Sequence, residues 1–325
     1  FLFSRGFIKT GLGKRIAYNL IAAFGSSSLR LAYALALSDL ILAPATPSNT
    51  ARVGGVIMPI TTSLAKAFGS EPQDGPRKIG SFLMQSIYQV NTITSAMFQT
   101  SMAGNTLVAA LALQSFGIGI TWGDWAMAAI VPGIIALIIM PYFIYKVYPP
   151  EIKDAREAQQ MIKEELKGLG KMSFQEWVML GVFILALVLW ATSQFTKIDA
   201  TTVAFLGISI LLATSVLVWD DVKSEKGAWD TLVWMGTLMG FAGFLSKLGF
   251  IKWATVLVGG YIPEGSWIIA FVIAVLINTY SHYVFASLTA HISAMFVAFS
   301  AIAISAGAPP MLTLLMIAFT SNLCM

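Results

Sequence analysis

Two short polar stretches interrupt apolar sequence at widely separated places in this chain. The first reads Thr46-Pro47-Ser48-Asn49-Thr50-Ala51-Arg52, and the second reads Phe285-Ala286-Ser287-Leu288-Thr289-Ala290-His291. Short hydroxyl and amide side chains can face a carboxylate or, through their oxygens, bind a small hard cation. The side chains with this chemistry are Ser48, Asn49, Thr50, Ser287 and Thr289.

An ionisable side chain follows each stretch, and such groups within apolar sequence are functional candidates. Arg52 ends the first stretch and His291 occupies the same position in the second. Either could pair with an anionic substrate. As alternatives, Arg52 could pair with Asp39 or reach the membrane interface, and His291, like His282, could be a neutral, hydrogen-bonded imidazole. No role is predicted for Asp39.

A tetrapeptide is repeated ahead of the two stretches, as Gly6-Phe7-Ile8-Lys9 and as Gly249-Phe250-Ile251-Lys252. Its Lys precedes the Ser of the following stretch by 39 residues in one copy and by 35 in the other. Chance recurrence in an apolar-rich chain is one explanation. A repeated unit with hydroxyl groups in apolar sequence is also typical of a membrane transporter built from two related halves, with its site where they meet.

Composition sets the class of protein. Of the 325 residues, 57% are hydrophobic and 11% are charged, and the mean hydropathy is +0.77. Charge-free stretches at 125–145, 177–196 and 200–219 approach the ~20 residues that cross a bilayer as a helix. We therefore predict an all-α polytopic membrane protein in a lipid bilayer. The single Cys324 excludes a disulfide framework. The sequence contains no cluster of Cys and His residues that would indicate a metal site. The net charge of +4 needs no nucleic-acid partner.

Basic residues predict the orientation, because they concentrate in cytoplasmic loops. Three clusters, at 5–15, 66–78 and 146–171, are placed in the cytoplasm, and the first contains no acidic residue. The third lies in a polar segment, 147–176, which is predicted to be a solvated helical loop. This loop divides the chain into a first repeat at 1–146 and a second repeat at 177–325.

Each polar stretch is predicted to form the turn of a re-entrant helical hairpin, because hydrocarbon tolerates irregular backbone only where protein or water satisfies it. The first hairpin, 29–66, follows an interfacial helix and enters from the cytoplasm. The second hairpin, 265–307, follows an interfacial segment and enters from outside. The polar run at 90–105 predicts an unwound transmembrane helix beside the site. Its counterpart begins at Thr320.

Five crossings are predicted between the two tetrapeptides: 79–116, 124–146, 177–196, 200–219 and 231–246. An odd number of crossings makes the second repeat inverted relative to the first. The chain begins at Phe1 and stops at Met325 within apolar sequence, so we expect an internal fragment with a truncated last span.

The stretch Ala43-Pro44-Ala45-Thr46-Pro47-Ser48-Asn49-Thr50-Ala51-Arg52 with Gly54-Gly55 resembles the divalent anion:sodium symporter family. So do the opening Arg5-Gly6-Phe7-Ile8-Lys9-Thr10-Gly11-Leu12-Gly13 and the later His282-Tyr283-Val284-Phe285-Ala286-Ser287. The similarity covers essentially the whole chain, and it is closest to the branch of bacterial citrate/succinate antiporters and plastid 2-oxoglutarate/malate translocators. The resemblance implies inverted repeats with re-entrant hairpins, a homodimer formed through a scaffold domain, and an elevator-like movement of the transport domain.

In that family the Ser-Asn-Thr motifs of both hairpins bind substrate carboxylates and, in sodium-coupled members, help to form sodium sites. By resemblance, the unwound segment contributes Thr100 and Ser101, and the motifs contribute Ser48, Asn49, Thr50, Ser287 and Thr289. A sodium ion, which is not favoured, would lie near Ser48, Asn49 and Ser101. Leu288 stands where the symporters have Asn, which agrees with the antiporter branch.

Exchange of di- or tricarboxylates such as 2-oxoglutarate, malate, succinate and citrate is the leading prediction. The protein would lie in a bacterial inner membrane or, alternatively, a plastid inner envelope. A sodium-coupled dicarboxylate symporter is the second hypothesis. An intramembrane enzyme is a remote third, because the apolar sequence contains no metal-ligand spacing, nucleophile elbow or paired acids. No cofactor is expected.

Overall fold

The computed structural model describes residues 1–249, 253, 256, 267–285 and 287–323. Across these ranges the chain forms helices and turns without a strand. The helices are α1 Leu2–Thr10, α2 Leu12–Phe24, α3 Ser28–Leu42, α4 Asn49–Arg52, α5 Met58–Ala67, α6 Gly80–Met97, α7 Ala103–Phe116, α8 Trp122–Val147, α9 Arg156–Gly168, α10 Phe174–Ala191, α11 Ser193–Thr196, α12 Ala200–Ala213, α13 Trp219–Ser224, α14 Lys226–Lys247, α15 Trp267–Ser281, α16 Leu288–Ser305 and α17 Pro310–Thr320.

Among the described residues, five helical segments are long and apolar enough to cross a membrane: Ser28–Ala45, Trp122–Val147, Phe174–Ala191, Trp267–Val284 and Leu288–Ser305. They confirm the predicted all-α polytopic membrane protein. The longest helix, α8, has 26 residues and therefore extends about 39 Å. Its side chains Val131, Ile138 and Phe143 are more than half exposed, which gives α8 an outward apolar face of the kind that contacts lipid or another protein.

Two predicted crossings have different bounds in the structure. The segment predicted at 200–219 is helical only to Ala213, and Ser215 then adopts a left-handed conformation that ends the helix. The segment predicted at 231–246 lies within α14, which begins at Lys226 and carries Asp230 near its start. These charged residues make α14 less apolar than the five candidate spans.

The segment predicted as a solvated loop at 147–176 is helical at α9, as expected, but it is not fully solvated. Ala158 and Ile162 of α9 are buried, and α9 packs on α2. Backbone bonds also join this segment to the second basic cluster, since Glu151 N donates to Arg77 O at 3.0 Å. The three basic clusters therefore come together on one part of the molecule, as expected of loops on one side of a membrane.

The first basic cluster is free of acids only in sequence. In the structure each of its four cations lies near a carboxylate from the second half of the chain. The pairs are Arg5 with Glu225 at 3.9 Å, Lys9 with Asp221 at 2.5 Å, Lys14 with Glu165 at 4.0 Å, and Arg15 with Glu176 at 2.5 Å. The hydrogen bond from the Lys9 ammonium lowers the pKa of Asp221. The amino end of the chain is thus attached to α9, α10 and α13 and to the turn before α14.

The predicted unwound segment is shorter than the sequence suggested. The polar run at 90–105 is helical as far as Met97, and only Phe98–Met102, here called the break, separates α6 from α7. The polar side chains before the break are buried against protein, so they do not need to leave the helix. Apart from Gly249, the second tetrapeptide lies outside the described residues, as do Gly265, Ala286, Cys324 and Met325.

Candidate functional site

The first polar stretch connects α3 to α4 through a turn that its prolines impose. A 3-10 turn spans Ala43–Ala45, and neither Pro44 nor Pro47 can donate a backbone hydrogen bond that would continue the helix. Ser48 has extended backbone and caps α4, because its hydroxyl accepts from Ala51 N at 3.1 Å. A π-helical turn, Val53–Ile57, then leads into α5. Residues 43–51 are called the first tip.

The second polar stretch makes the equivalent turn between α15 and α16, 239 positions later in the chain. A 3-10 turn spans His282–Val284, and Ser287 again has extended backbone ahead of a helix. The Ser287 hydroxyl, however, makes no capping bond to α16. The helices α15 and α16 pack against each other. Residues 282–290, of which Ala286 is not described, are called the second tip.

The two tips line one cavity of about 580 Å³. From the predicted motifs, Ser48 and Asn49 meet Ser287, Leu288 and Thr289 there. The remaining lining residues are Phe1, Pro47, Met102, Ala103, Asp230, Thr231, Trp234, Met235, Leu238 and Ala290. This cavity is called the central cavity.

Helix ends add partial positive charge to the wall of the central cavity, which also contains the Asp230 carboxylate. The N-termini of α7 and α16 lie in its wall, at Met102 and Ser287, and each presents backbone N–H groups without an intrahelical partner. Aligned peptide dipoles place partial positive charge at such ends. With the hydroxyl and amide groups of the two tips, they form a set of uncharged donors that suits a carboxylate.

Arg52 lies behind the first tip and does not line the central cavity. Its side chain is fully buried, and all five N–H donors of its guanidinium are used within the protein. Nε donates to Asp39 Oδ1 at 2.9 Å, Nη1 to the carbonyls of Thr46 at 3.0 Å and Ser101 at 3.1 Å, and Nη2 to the hydroxyls of Thr94 at 3.2 Å and Ser95 at 3.1 Å. Arg52 therefore ties the first tip to α3, to α6 and to the break.

Asp39 completes this cluster. Its carboxylate accepts from Asn91 Nδ2 at 3.3 Å and from the Thr94 hydroxyl, besides its ion pair with Arg52. The sequence left the partner of Arg52 open between Asp39 and a substrate. The structure places Arg52 on Asp39.

His291 is also buried behind its tip, where its Nε2 lies 2.9 Å from the Ser281 hydroxyl. The ring of His282 is 4.7 Å away. Asn278 lies 239 positions after Asp39, as His291 does after Arg52, and its amide donates to the hydroxyls of Thr320 at 3.3 Å and Ser321 at 3.1 Å. Thr320 and Ser321 therefore contact Asn278 of α15. Thr94 and Ser95 contact Arg52 in the same way.

Three other predicted site residues also lie away from the central cavity. The Ser101 hydroxyl is buried, and its one proton is shared between the carbonyls of Ser95 in α6 at 2.6 Å and Phe98 in the break at 2.7 Å. The Thr100 hydroxyl donates to Pro44 O at 2.7 Å. Thr50 is exposed and does not line this cavity. The structure thus brings together four hydrogen-bonding side chains of the predicted set, from Ser48, Asn49, Ser287 and Thr289.

Sequence reasoning missed the wall formed by α14. Asp230, Trp234 and Leu238 recur there at helical spacing, a signal that was visible in the sequence but that did not indicate which face of a span points inward. The halves are joined nearby, where Asn322 Nδ2 donates to Asn105 Oδ1 at 2.9 Å. Within the described residues, no group of three or more His, Cys, Asp or Glu side chains is suited to a metal ion.

Comparison with known families identifies the chain. All 325 residues match the model of the sodium:sulfate symporter transmembrane region. The chain belongs to this family. The match confirms the resemblance to the divalent anion:sodium symporters drawn from the polar stretches.

Its relatives include bacterial and plastid proteins. A putative malate transporter of Bacillus subtilis (strain 168) is 52% identical over 324 residues, which cover 99% of this chain and 68% of the relative. Dicarboxylate transporter 1 of spinach chloroplasts is 46% identical over 328 residues, covering 99% and 57%. An inner membrane protein of Escherichia coli (strain K12) is 44% identical over 323 residues, covering 99% and 68%. The chain therefore spans between 57% and 68% of the length of these three relatives.

Proposed function

We propose that the protein is a secondary transporter that exchanges dicarboxylates or tricarboxylates across a membrane. The observation that carries the proposal is the central cavity, in which equivalent residues of two tips meet and present uncharged donors and helix N-termini. Two of the relatives are named as malate and dicarboxylate transporters, which supports carboxylates as the substrates. The substrate carboxylates would accept hydrogen bonds from the side chains of Ser48, Asn49, Ser287 and Thr289, with Thr50 at the edge of the first tip.

In this proposal Arg52, Thr100, Ser101 and His291 act from behind the tips. They do not line the central cavity, and they hold the backbone and side chains of the tips in place for the substrate. Arg52 would act through the position of the first tip and not through net charge, because the Asp39 carboxylate balances its guanidinium.

We further propose that the two halves are inverted repeats with re-entrant hairpins that move together past a scaffold, as in an elevator. The matching positions of Asp39 with Asn278 and of Arg52 with His291 support a common origin of the two tips. Cysteines placed near Lys163 and near Ile198, in a Cys324→Ser background, should then react with an impermeant maleimide from opposite membrane faces. Labelling of both from one face would contradict the crossing count. A homodimer is part of this proposal, and crosslinking in the membrane tests it.

Exchange without sodium is favoured over sodium-coupled symport by two features, one at the first tip and the break and the other at the second tip. The carbonyl oxygens of Thr46 and Ser101 are the kind of ligand that a sodium ion needs, and both already accept from Arg52. Leu288 offers no oxygen or amide to the central cavity. The alternative, a sodium-coupled symporter, is supported by the description of the family itself.

Counterflow in proteoliposomes tests the proposal. The purified protein should accumulate labelled malate or succinate only when the vesicles contain an unlabelled carboxylate, and replacement of sodium by choline should leave the initial rate within about twofold. Uptake that needs external sodium and no internal anion would favour the symporter. The absence of carboxylate-dependent flux in either condition would reject carboxylate transport.

A further inference from the structure

The Thr100 hydroxyl lies in the break and joins two distant parts of the chain. It donates to Pro44 O in the first tip at 2.7 Å, and it accepts from the indole Nε1 of Trp122 at 3.0 Å. A hydroxyl has one proton to donate, so the bond to Pro44 uses it fully. A chain of two hydrogen bonds therefore runs from the start of α8, through the break, to the first tip.

Packing fixes the direction in which Trp122 donates. Its ring is stacked between Phe98, at 5.6 Å and 16°, and Trp190 of α10, at 6.2 Å and 17°. Only 7% of Trp122 is exposed. The same end of α8 is attached to α11, because Gln194 Nε2 donates to Asp124 Oδ1 at 2.7 Å. The indole N–H therefore has one available direction, toward Thr100.

The first tip depends on the bond from Thr100 to Pro44 O because the tip is loosely packed beside Thr100. An apolar cavity of about 340 Å³ lies there, and Pro44, Ala45, Pro47 and Thr100 are among its lining residues. Pro44 is itself buried, so its carbonyl would lose a hydrogen bond in a place with little water if Thr100 turned away. The cavity would give the freed tip room to move.

We propose that Trp122 is a positioning residue for substrate binding. By holding the Thr100 hydroxyl, it keeps Pro44 and the rest of the first tip where Ser48 and Asn49 face the central cavity. Its stacking on Trp190 makes the position of the tip dependent on α10. The consequence for transport rests on the function proposed for the central cavity, whereas the control of the tip does not.

A labelling experiment tests the control of the tip directly. Ala45 is buried in the first tip, at 2% exposure, and Ala45→Cys in the Cys324→Ser background reports opening of the tip through its rate of reaction with N-ethylmaleimide. Trp122→Phe keeps an aromatic ring in the stack and removes the donor. It should raise the labelling rate about tenfold, the effect of one lost hydrogen bond in a buried place.

Trp125→Phe is the matched control. Trp125 lies on the same helix, is fully buried, and donates through Nε1 to Ala96 O at 2.8 Å, which is a bond to α6 and not to the tip. It should leave the labelling rate at the level of the parent. Equal rates for Trp122→Phe and Trp125→Phe would overturn the proposal.

Thr100 gives a second route to the same result if Trp122→Phe does not fold. Thr100→Val removes the donor to Pro44 and should raise the labelling rate as much as Trp122→Phe does, whereas Thr100→Ser keeps the hydroxyl and should not. Equal labelling of the Val and Ser variants would overturn the proposal.

In proteoliposomes, Trp122→Phe should raise KM for malate exchange about tenfold with little change in the maximal rate. If the parent protein does not exchange carboxylates, the proposed function fails while the labelling result still decides the role of Trp122.

Discussion

The first and second tips occupy equivalent places 239 residues apart, but they are stabilised by different chemistry. Behind the first tip, Asp39 and Arg52 form a buried ion pair in which every guanidinium donor has a partner. Behind the second tip, the same two positions hold Asn278 and His291, which carry no formal charge when the imidazole is neutral.

The two tips also differ in how completely their polar atoms are satisfied. Ser48 caps its helix and Ser287 does not. Asn278 Oδ1, His282 Nδ1 and His291 Nδ1 are buried and have no hydrogen-bond partner among the described residues. Each such atom costs about 1–3 kcal/mol relative to a satisfied one. The polar groups behind the first tip are therefore the better satisfied, and we expect the second tip to separate from its own supporting helices at lower cost.

Removing the cation behind the first tip should have the largest effect. Arg52→Gln leaves Asp39 buried without its counter-charge, which we expect to destabilise the folded protein by about 3–5 kcal/mol. Thermal unfolding of the purified protein in detergent measures the change. The matched variant behind the second tip, His291→Gln, exchanges one neutral group for another and should cost about 1 kcal/mol.

A double variant sharpens this comparison by giving the first tip the neutral chemistry of the second. Asp39→Asn combined with Arg52→Gln removes both charges together, so it should recover at least half of the stability that Arg52→Gln loses. If the double variant is no more stable than the single one, the hydrogen bonds of Arg52, and not its charge, support the first tip.

The next effect concerns the residues that follow Ser48 and Ser287. Asn49 and its counterpart Leu288 both line the central cavity, but only Asn49 can hydrogen-bond a carboxylate. Asn49→Ala should reduce malate exchange about 100-fold, or about 2.7 kcal/mol, with unchanged membrane insertion. Leu288→Ala should reduce it less than tenfold. Similar losses at both positions in an exchange assay would mean that the two tips contact the substrate equally.

The smallest effect is expected at the helix caps. Ser48→Ala removes the bond to Ala51 N and should cost about 1 kcal/mol of stability, as is usual for an N-cap. Ser287→Ala removes no capping bond, so it should change the free energy of unfolding by less than about 0.5 kcal/mol. Unfolding measurements on the two variants side by side decide this, and equal losses would contradict the difference in capping.

Much of this arrangement could be predicted from the sequence. The apolar composition predicted the polytopic helical fold. The two polar stretches contain four of the hydrogen-bonding side chains that line the central cavity, whereas Thr50, Arg52 and His291 of the same stretches do not line it. Ser48, Asn49, Ser287 and Thr289 could be found because hydroxyl and amide groups are rare within long apolar runs. The relation between Asp39 and Asn278 was also readable, since both precede the ionisable residue behind their tip by 13 positions.

The parts that could not be predicted depend on contacts between distant segments. Thr100 was assigned to the substrate site by resemblance, but its hydroxyl faces Pro44, 56 residues away, because the break passes behind the first tip. Asp230 lines the central cavity because α14 is oriented with this residue on its inward face. A single sequence shows the period of a helix and not the direction of its inward face, so neither position could be resolved.

The four ion pairs at the amino end of the chain also set an order of events during synthesis. Lys9 meets Asp221 across 212 residues and Arg15 meets Glu176 across 161. At about 5–20 residues per second, a ribosome takes roughly 10 to 40 s to add the 212 residues between Lys9 and its partner. Glu165 and Glu176 are made first and can pair with Lys14 and Arg15, whereas Lys9 and Arg5 wait beside the membrane for Asp221 and Glu225, so the four pairs form in the order in which their carboxylates are synthesised.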